Sequence, residues 1–394
     1  MIKIKEEAQQ IEDYVIELRR YFHMHPEIGM EEFKTSERIQ QELDALGIPW
    51  KLCNQTGIMA TIGQGSKMIA LRADMDALPI QEKNDVSYVS KNEGVMHACG
   101  HDGHVAALLG AAKILKEHES ELSIRVRLIF QPSEERSEPQ FKGSQIMCDA
   151  GAMEDVDEVY GLHVFTDMPA GQVSFEAGPR MAATSVFKAK ICGKSGHGGK
   201  PHLCKDAMLA ACASVMQLQS IVSRELDPTE PAVVTVGKLE CGTQYNIISG
   251  EAYLEGTVRT FSKQALDSIA NSVVRIIEKT AETYDQKAEV SFTKARRLPI
   301  TNDIQLSNRM MKYARDVFDD EQLKHIPPIM LGEDFNVYLD HVPGIFSFVG
   351  AGNPEIDCIY PNHHEKFNID ESVLKNCVML HLLAVEAAQK ELGE

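Results

Sequence analysis

The sequence predicts an α/β protein: a discontinuous domain on a mixed α/β sheet, interrupted by an inserted βαββαβ domain. Three observations lead there. Strand-like and helix-like segments alternate from residue 57 to 164, the signature of an α/β sheet. Between 183 and 295 the order changes to strand, helix, strand, strand, helix, strand, the split ferredoxin-like unit. After 295 the first pattern resumes. A chain of 394 residues also exceeds what one ordinary core supports, about 250–300 residues. The expected division is 1–182 with 296–394 for the interrupted domain and 183–295 for the insert.

The elements follow from periodicity. Residues 5–21 and 35–46 place Ile11, Val15, Leu18 and Ile39, Leu43, Leu46 at helical spacing. Residues 57–62 and 68–72 read as short buried strands. Residues 102–115 carry Ala and Leu along one side of a helix. Segment 124–130 alternates Ile124, Val126, Leu128 and Phe130 against Arg125 and Arg127, then stops at Pro132. Residues 156–164 form another strand. In the insert, strands are expected at 184–191, 232–239, 252–260 and 288–292, and helices at 205–222 and 264–284. At about 110 residues it is large enough to fold as a domain. A helix at 303–318, a strand at 344–349 and a helix at 370–391 complete the chain. There is no internal repeat and no low-complexity tract.

Hydrophobic content of 43% and charged content of 25% are those of a soluble globular protein. The net charge of -18 repels nucleic acid and anionic membranes, which excludes both as expected partners. Residues 1–8 contain no apolar signal core, and no run approaches the ~18 apolar residues of a membrane span. Nine cysteines without framework spacing read as reduced thiols, and the expected location is the cytoplasm.

Three clusters carry chemistry. Residues 96–104 read Met-His-Ala-Cys-Gly-His-Asp-Gly-His, a thiol and three imidazoles on a glycine-broken loop. Such ligands suit a transition metal. Gly100 lets the turn aim Cys99 and His101 to one side. His104, one helical turn past His101, fits a supporting or core role better, and His97 is left without an assigned role. Residues 131–135 read Gln-Pro-Ser-Glu-Glu after a strand, where open α/β sheets place their sites. Glu134 and Glu135 point apart on an extended backbone, so one can bind metal while the other faces a reacting water. Residues 361–364, Pro-Asn-His-His, offer a further ligand, and spacing does not choose between His363 and His364. His163 ends a strand. Asp74 and Asp76 are placed to orient an imidazole. Because the last cluster lies beyond the insert, the flanking halves must meet in space. Gly193-Lys-Ser is not a phosphate loop: Lys188 stands where that motif needs glycine, and Pro201 follows where it needs a helix.

Together these residues resemble the M20 metallopeptidase family in its amidohydrolase branch of aminoacylases, hippurate hydrolases, auxin-conjugate hydrolases and N-acetyl-diaminopimelate deacetylases. The likeness runs nearly end to end. It starts at Phe22-His-Met-His-Pro-Glu, Leu71-Arg-Ala-Asp-Met-Asp-Ala-Leu-Pro and the 96–104 cluster. It continues through Phe130-Gln-Pro-Ser-Glu-Glu, Gly161-Leu-His, Gly193-Lys-Ser-Gly-His and Pro201-His. It closes with Gly256-Thr-Val-Arg-Thr-Phe, Gly332-Glu-Asp-Phe and His363.

The resemblance implies two divalent metal ions (Mn, Zn, Co or Ni) held by Cys99, His101, Glu135, His163 and His363, with Cys99 bridging. It selects His363 through the pattern His-x-x-x-Phe ending at Phe367, and makes Glu134 the catalytic base. The insert becomes a lid or dimerisation domain. There His197 polarises the scissile carbonyl, often from the partner subunit, and Asn246 and Arg259 hold the substrate carboxylate. The implied reaction is hydrolysis of N-acyl amino acids by a homodimer or other homo-oligomer. The alternatives are a dipeptidase or aminopeptidase on unblocked peptides and a non-catalytic metal-bound binding protein. Two departures stand out: residues 136–143 replace a glycine-rich run common in relatives, and Ser249 stands where proline is frequent.

Overall fold

The computed structural model describes residues 2–136, 142–293 and 297–393, so most of the unusual 136–143 stretch lies outside the described residues. The chain divides into two compact units. One comprises Met1–Gly178, Thr301–Pro327 and Asp334–Glu394. The other comprises Pro179–Ile300 and Pro328–Glu333.

The first unit is built on a seven-stranded mixed sheet. Its order is Trp50–Cys53, Gly57–Ile62, Arg125–Gln131, Met68–Asp74, Glu158–Pro169, Gly344–Gly352, Val173–Ser174. The four central strands from Arg125–Gln131 to Gly344–Gly352 run parallel, and antiparallel strands flank them. Strands Met68–Asp74 and Gly344–Gly352 are buried at every position. Parallel strands covered on both faces require this, and the charged Arg72 and Asp74 inside Met68–Asp74 are accommodated by pairing with each other. Because these strands share a direction, their carboxyl ends lie along one edge, and the loops leaving Asp74 and Gln131 emerge there.

Helix His101–Glu117 is buried almost all round and not on one side only, because it packs against helices Glu12–Met24 and Leu374–Leu392 as well as strands of the sheet. Its crossing with Glu12–Met24 depends on Gly110, where a Cβ would meet Val15 Cγ2 at 2.7 Å. The helix expected over 5–21 is two, Ile4–Gln10 and Glu12–Met24, separated at Ile11 (φ -101, ψ 7). The helix expected over 303–318 is Ile304–Ala314, started by Asp303, whose carboxylate accepts the Gln305 and Leu306 N–H groups. The last helix begins at Leu374, after a 3-10 turn over Glu371–Val373.

The second unit is a four-stranded antiparallel sheet, in the order Ala232–Cys241, Glu251–Thr260, Ala183–Cys192, Lys287–Phe292. Helices Ala207–Ser220 and Lys263–Thr283 pack on one face. That face buries Phe187, Ile191, Leu254 and Val258 against Leu218, Ile269 and Val273. Strand Ala183–Cys192 accordingly alternates buried and less buried residues along its whole length. Beyond Ser220 the chain makes a π-helical turn, Ile221–Glu225.

Candidate metal centre

Cys99 and His101 are brought together by one glycine. Gly100 has φ 91, and a Cβ there would meet Val164 Cγ2 at 2.4 Å. The left-handed residue turns the loop into helix His101–Glu117 and leaves both side chains buried in the first unit. The Cys99 Sγ lies 3.4 Å from the His163 Nε2. His163 sits in the long strand Glu158–Pro169, stacked on Phe165 with ring centroids 4.6 Å apart.

The glutamates come from a second left-handed turn. After strand Arg125–Gln131, Ser133 takes φ 53 and its N–H donates to the Glu32 Oε1 at 2.8 Å. The next two N–H groups donate to one carboxylate, from Glu134 to the Asp76 Oδ1 and from Glu135 to the Asp76 Oδ2, both at 3.0 Å. The Asp76 carbonyl also accepts the His101 Nδ1–H at 2.9 Å. Asp76 therefore orients His101 through its carbonyl, with its Oδ1 also 3.3 Å from the His101 Nδ1, and the glutamate pair through its carboxylate. Sequence reasoning found the first role alone, because the second pairs a side chain with a turn 58 residues away.

Three groups overlap around Cys99 and Glu135: Cys99 with His101 and His163, Cys99 with Glu135 and His363, and His101 with Glu134 and Glu135. In each, the potential ligand atoms lie within 4.8 Å of one another. Cys99 belongs to two of them. The His363 Nε2 is 3.1 Å from the Glu135 Oε1, whereas the His364 Nδ1 is taken by the Lys366 N–H and its ring stacks on Tyr360. His363 has φ 70 and is held by its N–H on the Ala98 carbonyl at 2.7 Å.

The protonation pattern fits a cation. His163 donates from Nδ1 to the Val164 carbonyl and so turns an Nε2 lone pair inward. His101 donates from Nδ1 to the Asp76 carbonyl; burial disfavours charge on its ring, but Asp74 and Cys99 outweigh burial and raise its pKa well above the usual histidine range, so a metal ion at Nε2 would replace a proton there. The buried His101 Nε2 makes no hydrogen bond, and the buried Glu135 Oε1 faces the His363 Nε2. Burial, reinforced by His104, holds His163 well below the usual histidine range, so its ring is neutral. Burial opposes charge on Glu135, yet His363 and His101 hold its carboxyl down at about 2. Burial and Glu135 push the Cys99 thiol well up, so a thiolate there needs a positive charge beside it. Buried lone pairs from sulfur, nitrogen and carboxylate oxygen around common points are the donor set of a divalent transition metal.

His104 forms a further close group with Asp74 and His101, but both of its ring nitrogens are taken. Its Nδ1 pairs with the Asp74 Oδ1 at 2.5 Å, and its Nε2 accepts the Val164 N–H at 3.1 Å. Asp74 is also held by Arg72 at 2.6 Å. His97 is buried with neither ring nitrogen bonded.

The remaining candidates lie in the second unit. Residues Gly196–His197 pair with Ile247–Ile248 in a two-stranded ribbon. The exposed His197 accepts the Gly199 N–H at Nδ1 (3.0 Å), which leaves the ring hydrogen on Nε2 as a donor. Asn246, on the same ribbon, is exposed and accepts the Gly198 N–H through its carbonyl at 2.9 Å. Arg259 is half-buried and donates to the Thr184 Oγ1 at 2.9 Å, and burial, with Arg297 adding to it, lowers its pKa. Ser249 uses its hydroxyl within the turn, donating to the Glu251 carbonyl at 2.7 Å.

Residues 70–387 match peptidase family M20/M25/M40. The chain belongs to this family. It is 36% identical to thermostable carboxypeptidase 2 of Saccharolobus solfataricus over 98% of this chain and 99% of that one. It is 38% identical to N-acetyl-L-cysteine deacetylase of Bacillus subtilis, over 95% of this chain and 89% of the relative. Identity is also 38% with IAA-amino acid hydrolase ILR1-like 4 of Arabidopsis thaliana, over 94% and 84%. A dinuclear metal binding peptidase of the M20 family from Bacillus subtilis superposes with a TM-score of 0.83 at 32% identity, covering 96% of this chain and 98% of that one. The M20 chain is thus a hydrolase with the family's mixed α/β fold. Among its described residues no helix is long and apolar enough to cross a membrane.

Proposed function

We propose that this M20 protein hydrolyses the amide bond of N-acyl amino acids, releasing a carboxylic acid and a free amino acid. The observation that carries the reading is the position of Cys99, shared between a group with His101 and His163 and a group with Glu135 and His363. With its sulfur common to both groups, Cys99 would help to hold both ions of a two-metal site. Cys99, His101, Glu135, His163 and His363 would hold the two ions. Bound there, divalent cations supply Lewis acidity, polarising a carbonyl oxygen and making water acidic near neutral pH.

The protein's own groups do the rest. Glu134 takes a proton from the attacking water on a carboxylate oxygen as the new C–O bond forms. It returns that proton to the amide nitrogen as the C–N bond breaks and the amino acid leaves. His197 donates its Nε2–H to the carbonyl oxygen as negative charge develops there. Arg259 and Asn246 bind the substrate α-carboxylate. We assign 183–295 as the inserted lid and dimerisation domain, with the cytoplasm as its location. Its outer strand Ala232–Cys241 and the exposed Leu209 and Met216 of helix Ala207–Ser220 suit pairing with a second copy.

One comparison favours a second reading. The carboxypeptidase relative at 36% identity supports peptides as substrates, which share the free α-carboxylate. A panel of N-acetyl and N-benzoyl amino acids, unblocked dipeptides and the matching carboxamides separates the two. Faster release from the N-acyl acids supports the first reading. Turnover confined to peptides replaces it with the second.

A further inference from the structure

Asn362 was the part of the Pro-Asn-His-His motif with no role assigned, and its side chain reaches two of the proposed ligand-bearing segments. The Nδ2 donates to the Cys99 carbonyl at 3.1 Å and to the Val164 carbonyl at 3.3 Å, and stands 3.8 Å from the Cys99 Sγ. All three neighbours are acceptors, so the amide nitrogen and not its oxygen must face them. The Val164 carbonyl is the same oxygen that receives the His163 Nδ1–H at 2.8 Å. A carbonyl has two lone pairs, and here one fixes the His163 ring while the other takes Asn362. The backbone completes the connection: the His363 N–H donates to the Ala98 carbonyl at 2.7 Å, so 362–363 is fastened to 98–99 by side chain and main chain together. Thr166 adds a third tie to this loop, its hydroxyl donating to the Tyr360 carbonyl at 2.7 Å.

We propose that Asn362 is a positioning residue that holds the Cys99, His163 and His363 segments in register and donates an amide N–H to the Cys99 sulfur. The inference rests on the metal reading above and adds a residue outside its ligand set. An N–H directed at a thiolate withdraws electron density from it. Supports behind metal ligands typically contribute about 10–100-fold in metal affinity. Asn362 thereby sets both how tightly the sulfur is placed and how strongly it donates.

The test uses the full chain loaded with cobalt(II), whose thiolate charge-transfer absorption reports the sulfur directly, beside chelator competition for affinity. Asn362→Leu keeps the size and removes the donors. Asn362→Ser keeps one shorter donor and serves as the control if the leucine variant fails to fold. The expected result is an absorption shifted to lower energy and an affinity reduced about 10–100-fold in the leucine variant, with the serine variant between it and wild type. Folded variants with wild-type absorption and affinity would overturn the proposal, as would equal loss in both. Because neither readout involves substrate, an inactive wild type showing the cobalt–thiolate absorption counts against the N-acyl amino acid reading and leaves Asn362 to be judged by its own variants. A wild type lacking that absorption overturns the thiolate site and this proposal together.

Discussion

Asp76 holds Glu134 by its backbone: the Asp76 Oδ1 accepts the Glu134 N–H at 3.0 Å while its other oxygen takes the Glu135 N–H. One buried carboxylate thus fixes both the proposed base and a proposed ligand. In Asp76→Asn the amide nitrogen would face one of these N–H groups, donor against donor, at about 1–3 kcal/mol. Turnover should fall about 10–100-fold, with the His101 hydrogen bond to the Asp76 carbonyl kept and the ionic contact of the carboxylate with that ring lost. Steady-state kinetics beside chelator competition checks this, and wild-type kcat in the variant would show that the glutamates are placed without Asp76.

Gly100 should tolerate no side chain. Its φ of 91 is strained for other residues, and Val164 Cγ2 stands 2.4 Å from where a Cβ would be. Gly100→Ala should cost about 1–3 kcal/mol in chemical denaturation. It should also lower bound metal, since the displaced turn carries Cys99 and His101. Destabilisation with full metal content would separate the turn from the site.

Acid should unfold the protein partly through Asp102. Burial alone would raise its pKa, but Arg19 at 2.8 Å and His23 at 2.7 Å outweigh it and hold the carboxyl well below the usual range. A folded value below the unfolded one, about 3.9, gives stability that is complete above that pH and lost as pH falls toward the folded value. Asp102→Asn breaks a buried ion pair, which costs about 3–5 kcal/mol near neutrality. Urea denaturation across the acid range should show the gap between wild type and variant shrinking as pH falls. A constant gap would contradict the assignment.

The residues that were legible in the sequence were those whose signal is local. The strand Gly57–Ile62 and the start of Met68–Asp74 announced themselves as short buried runs, Arg125–Gln131 by its alternation, and the Cys99-Gly100-His101 turn by ligand type and glycine together. Trp50–Cys53 was missed because its middle residues are exposed and show no buried run, and Val173–Ser174 because two residues carry no periodicity. The break at Ile11 has no glycine or proline to mark it. Asp76 and Asn362 could not be ranked, since their partners lie 58 and 263 residues away. Such pairings exist only once the parallel strands have brought their carboxyl-end loops to one edge.

The most direct measurement is metal titration of chelator-stripped protein, following both bound metal and release of amino acid from an N-acyl substrate, with Glu134→Gln alongside. The account predicts no turnover without metal and recovery that is complete at two ions per chain. Glu134→Gln should bind the same two ions with kcat lower by about 10²–10⁴-fold. Full turnover by the stripped protein, or near wild-type kcat in the metal-loaded Glu134→Gln, would contradict it.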